Sequence, residues 1–157
     1  MYKRQPWASS ETDRTMHPRV SDMEIIRIRA DQFLLDLDLA ERTAKSYSKG
    51  RRKERYALQK LADVRWTGKL FLASVKKNMR KPAFTVDAYW DLDRSFNLAK
   101  DEFGYLTAYA REFEVFSRLE SDLKGISVFY GDNQIWNPIK VHRLSLDLVR
   151  QGSRTLN

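Results

Sequence analysis

The chain has 157 residues, 42% hydrophobic and 32% charged, which fits one globular domain with an ordinary core and excludes a disordered polymer. No Cys, two His, six Gly and four Pro exclude disulfides, thiolate or histidine-rich metal sites and cysteine nucleophiles, and favour long helices over turn-rich β-architectures. A net charge of +8 and a pI near 9.8 point to polyanionic partners, and no apolar run nears the roughly 20 residues of a membrane span, so a soluble, cytoplasmic chain without membrane contact is expected.

Residues 1–20 are polar and without period, which predicts a flexible arm. Ser21 followed by Glu24 has the spacing of a capping box, in which each side chain satisfies an orphan N–H of the first turn. Ile26, Ala30, Phe33, Leu37, Ala40, Ala44 and Tyr47 then alternate steps of four and three, the face of a helix that Gly50 would close. A second segment, Arg51 to Arg80, repeats the spacing with Ala57, Leu61, Val64, Gly68, Phe71 and Val75. Thr67-Gly68 is a place for a kink, and Lys81-Pro82 ends the helix.

A third segment runs from Val86, behind a cap at Thr85, to Lys124, with Gly125 as its stop and Gly104 as a point of division. Leu92, Phe96, Ala99, Phe103, Leu106, Ala110 and Phe113 form its apolar face, continued by Phe116, Leu119 and Leu123. Beyond Gly125, β-formers on either side of a Gly-Asp-Asn turn predict a small hairpin over residues 126–142, its second strand confined to an edge by Pro138. "RLSLDLVRQ" suits a last short helix, and residues 151–157 a free tail. The expected fold is mainly α: one domain over residues 21–150, a bundle of three to four long amphipathic helices with a small C-terminal β-hairpin.

The positive charge is concentrated. Lys45 to Lys81 hold 13 Lys/Arg against Glu54 and Asp63, while the third segment carries nine acids against five basic residues. At 100° per residue, with the apolar series inward, Arg51, Arg52, Arg55, Lys69, Lys76, Lys77 and Arg80 fall within about 75° of the outward direction, and Lys53, Lys60 and Arg65 lie on the flanks. Trp66 points out through the middle of the stripe, where it can stack on a base. Solvated helices usually interleave acids with Lys and Arg, because like charges at i,i+4 repel by a few tenths of a kcal/mol. The stripe therefore predicts a surface that meets the phosphates of RNA or DNA, with Arg51, Arg52, Arg55, Arg65, Trp66, Lys69, Lys76, Lys77 and Arg80 as candidate contacts.

No glycine-rich phosphate loop, Gly-x-Ser-x-Gly or His-Glu-x-x-His occurs, and His142 has no catalytic companion, so no enzyme, cofactor or metal is expected. Asp87 and Asp91, one helical turn apart, suit a solvated face better than a Mg²⁺ site. The expected function is a non-catalytic nucleic-acid-binding subunit of a larger ribonucleoprotein or nucleoprotein assembly. The alternative is a protein–protein adaptor or structural subunit, as in a virion or homo-oligomer, whose basic helix docks on acids of a partner, or of residues 87–122, with Trp66 as a buried anchor. Docking on anionic lipid ranks lower, because the bundle uses up the apolar face.

Overall fold

Burial of one face of each amphipathic segment produces four helices that pack side by side. The computed structural model describes residues 16–107 and 110–132, with α1 at Met23–Tyr47, α2 at Arg52–Lys77, α3 at Val86–Lys100 and α4 at Ala110–Ser127. Short 3₁₀ turns lie at Val20–Asp22, Pro82–Thr85, Phe103–Leu106 and Val128–Tyr130. Arg65 of α2 reaches Asp38 and Glu41 of α1, and Phe71 of α2 meets Tyr89 of α3. Lys100 of α3 pairs with Glu120 of α4, and Arg29 of α1 donates to the Gly125 carbonyl of α4. Each pair runs antiparallel, so the chain forms a mainly α, up-down-up-down bundle, as the periodicity predicts.

Several local expectations are corrected. At the start of α1, Glu24 bonds Arg27 instead of closing a capping box with Ser21, and the Asp22 carboxylate takes that role by accepting the Arg19 N–H at 3.0 Å. Pro18 is already buried, ahead of the boundary drawn at residue 20, and residues 1–15 lie outside the described residues. No kink occurs at Thr67-Gly68: α2 is continuous, and Gly68 is buried where a Cβ would lie 3.0 Å from Leu34 Cδ2. That glycine lets α1 and α2 approach closely, which outweighs its low helix propensity.

The third segment divides at Gly104, and the break resets the phase of the helix that follows. Glu112, Val115, Phe116, Leu119, Leu123 and Ile126 face inward on α4, while Phe113, expected in the core, is 39% exposed. Gly125 is not a stop, since α4 continues to Ser127, and Gly131, at φ 69°, provides the left-handed residue after the 3₁₀ turn. The hairpin is corrected for the same reason. Ile126 and Tyr130 are buried one helical turn apart and Val128 between them is exposed, a period of four where a strand needs two. Residues 133–142, the helix proposed after them and the tail 151–157 lie outside the described residues.

The core has two aromatic clusters. Phe33, Phe96, Phe103 and Phe116 form one, with successive ring centroids 6.2, 5.7 and 4.5 Å apart. In the other, Tyr89 stacks on Tyr130 at 4.4 Å and both meet Phe71 edge-on. The Tyr89 hydroxyl donates to Asp132 at 2.8 Å, and Tyr130 hydrogen-bonds Thr85. Burial pushes both phenols well above the ordinary tyrosine range, so they stay neutral donors.

The connection between α1 and α2 is held by the one acid of its basic run. Gly50, at φ 72°, turns the chain, and the Glu54 carboxylate accepts the N–H groups of Lys49 and Arg51 at 3.2 and 3.0 Å. Glu54 also faces the positive end of the α2 dipole. Glu54→Ala should therefore destabilise the fold by about 0.5–2 kcal/mol, read as a lower urea midpoint with an unchanged slope.

Candidate nucleic-acid interface

The bundle leaves the outer face of α2 to solvent along about 39 Å. α2 holds eight Lys/Arg against two acids, whereas α1 holds four against five, α3 two against three and α4 three against four. The other helices largely neutralise themselves. Glu24 and Asp31 take Arg27, Asp38 takes Arg42, Asp91 takes Arg94 at 3.5 Å, Glu114 takes Arg118, and Glu120 takes Lys100 at 2.8 Å. Asp91, Glu120 and Glu114 are thus engaged with cations of α3 and α4, while Glu102, in the turn after α3, stands beside Arg52 and Lys53 at the amino end of α2.

All seven outward cations, Arg51, Arg52, Arg55, Lys69, Lys76, Lys77 and Arg80, are exposed, and none forms an ion pair among the described residues. The two acids of α2 form no ion pair with them among the described residues: Glu54 is held by backbone N–H groups and Asp63 accepts from Gln59 at 3.3 Å. Arg51 is the N-cap and Arg80 lies in the turn after Lys77, so both extend the stripe past the helix ends. At the carboxyl end of α2, Lys76 and Lys77 also meet the negative end of the dipole.

Arg65 departs from the expected set. It is half-buried and paired with Asp38, at 3.2 Å, and Glu41, so it fastens α2 to α1. Of the other flank residues, Lys53 donates to the Tyr105 hydroxyl at 3.2 Å with its ammonium 5.0 Å from that ring, and Lys60 sits 5.3 Å from the Tyr56 ring. Trp66 is 65% exposed and Leu70, next to it on the same face, 47%. Among the described residues they do not form a second buried face.

Two features were not evident from periodicity. Phe84, in the turn between α2 and α3, is 65% exposed beside Lys81, and Tyr105 joins Tyr56 at the amino end of α2. Both Phe84 and Tyr105 lie in connections, where helical periodicity assigns no face. Exposed aromatic rings thus accompany the cations at the start, middle and end of the basic surface, an arrangement that suits electrostatic neutralisation of a polyanion combined with stacking. No helix among the described residues is long and apolar enough to cross a membrane. Comparison of the chain with protein-family models, with curated proteins and with solved structures finds no match.

Proposed function

We propose that this chain is a non-catalytic nucleic-acid-binding subunit that contacts the phosphate backbone of RNA or DNA through α2 and the turns at its two ends. The observation that carries the proposal is the row of seven exposed cations without a charge partner among the described residues, with Trp66 exposed at its centre. Binding displaces counterions from the phosphates, so affinity falls steeply with salt and depends weakly on sequence. Trp66 and Tyr56 add stacking on unpaired bases. A subunit of this kind acts in a larger cytoplasmic assembly, beside other subunits or copies of itself.

The test is fluorescence anisotropy of labelled single- and double-stranded oligonucleotides titrated with the protein over a range of salt. Micromolar or tighter binding whose logarithm falls linearly with log salt supports the proposal, and no binding at low salt would sink it.

The neighbouring Trp66 and Leu70 favour one second reading, in which an acidic protein partner covers the stripe and buries both side chains as an anchor. Salt-sensitive capture of such a partner, abolished by Trp66→Ala and not competed by oligonucleotide, would favour it.

A further inference from the structure

We propose that the basic cup where α2 turns into α3 seats one unpaired nucleotide of a strand, its base stacked on Phe84 and its phosphates held by Lys76, Lys77, Arg80 and Lys81. This rests on the nucleic-acid function proposed above and adds the class of strand and the position of the base. The cup is an open cavity of about 650 Å³ lined by these five residues and the intervening turn, a size within the range of small-ligand sites.

The backbone beneath Phe84 is fixed from both sides. Pro82 and Thr85 are buried, Thr85 donates to the Pro82 carbonyl at 2.7 Å and is tied to Tyr130 at 2.8 Å. The Phe84 N–H donates to Lys81 O at 3.0 Å, and its carbonyl accepts from Ser74 Oγ at 3.4 Å. The main chain is thus anchored while the ring stays 65% exposed. A large ring held in solvent on a rigid turn is a preformed platform, so little ordering entropy opposes stacking on it. Lys81 Nζ lies over the ring, 5.6 Å from its centroid, so a base stacks on the opposite face or displaces the lysine toward the phosphates.

The four cations also exceed what the helix end requires. The dipole presents about half a negative charge there, so most of their positive charge is left for a ligand. None of the four forms an ion pair among the described residues, and that includes Asp87, three residues beyond Phe84. A paired base hides its π-face in the duplex stack, so the concave position of Phe84 selects unpaired bases. Lipid headgroups would also meet these lysines, and sedimentation with phosphatidylserine vesicles distinguishes a lipid surface from a strand.

The experiment is anisotropy with labelled oligothymidylate, oligouridylate and an abasic strand of equal length, using the wild type, Phe84→Ala and Phe84→Tyr. The wild type should bind base-bearing strands about 5- to 150-fold more tightly than the abasic strand. Phe84→Ala should lower that ratio by the stacking of one base, about 5-fold or more, with an unchanged salt slope, and Phe84→Tyr should keep it. Equal, salt-dependent binding of abasic and base-bearing strands overturns the nucleotide seat and leaves the backbone-binding function standing. A base preference undiminished by Phe84→Ala assigns the stacking to Trp66 and Tyr56 alone and overturns the seat as well. Failure to bind any strand overturns both. Phe84-dependent sedimentation with phosphatidylserine vesicles, without any base preference, overturns the seat in favour of a lipid surface.

Discussion

Simultaneous replacement of Arg51, Arg52 and Arg55 by alanine is expected to weaken single-strand binding by roughly 10²-fold at about 0.1 M salt, with no loss of fold. Each neutralised phosphate adds about 0.7–0.9 to the slope of log K against log salt, so seven contacts give a slope of about −5 to −6. Deleting three cations should reduce its magnitude by about 2 to 3, and the affinity loss follows from the same counterions. The fold should survive, because the three side chains are exposed and without ion-pair partners among the described residues. An unchanged slope in the triple variant would place the binding surface elsewhere.

Arg65→Ala is the internal control, and its effect should be opposite in kind. Its guanidinium is paired with Asp38 and with Glu41, whose side chain is largely buried, so removing it leaves that carboxylate, among the described residues, with only Lys45 at 3.7 Å. The expected outcome is a stability loss of about 1–3 kcal/mol with the salt slope nearly intact. Urea unfolding and anisotropy on the same variant separate the two roles.

Asp122→Asn is expected to stabilise the protein at neutral and mildly alkaline pH and to flatten its stability between about pH 4 and pH 8. Asp122 on α4 faces Asp36 of α1 across the helix seam, and one of its oxygens is buried. Asp36 in turn accepts from Gln32 at 3.0 Å. Burial first, then a shared proton and charge repulsion with Asp36, push the Asp122 carboxyl up to about 8, against the opposing pull of Arg118. The folded state therefore keeps a proton that the unfolded chain releases near pH 4. The resulting stability is complete below that ordinary value and is lost as pH rises through about 8. Asp122 is only half-buried and water screens the repulsion, so a gain of about 1–2 kcal/mol is expected for the asparagine at pH 8, or a few degrees in Tm. Thermal unfolding from pH 5 to pH 9 checks it. A variant curve that tracks the wild type would rule out the shared proton.

The order and inward faces of α1 and α2 follow from the chain itself, because a four-three series such as Ile26 to Ala44 has one amphipathic solution whatever it packs against. The outward stripe follows equally, being the complement of that face. Periodicity places residues only where it is uninterrupted. After the turn at Phe103–Leu106 the phase of α4 depends on how the chain re-enters the bundle, so Phe113 went outward and Val115 inward. "ISVFY" reads as strand by β-propensity, yet Ile126 and Tyr130 extend the buried face of α4, and packing overrode that preference.

The sequence by itself determined the helical class, the core faces of the first two helices and the concentration of positive charge on the second. These depend on neighbours within a few residues, and periodicity records them directly. Only the tertiary structure decided that Arg65 binds α1, that Gly68 is a contact point, that Asp36 faces Asp122, and that Phe84 stands exposed in a basic cup. Each of these depends on residues brought together across helix seams or turns, where the partner is set by packing and not by spacing along the chain.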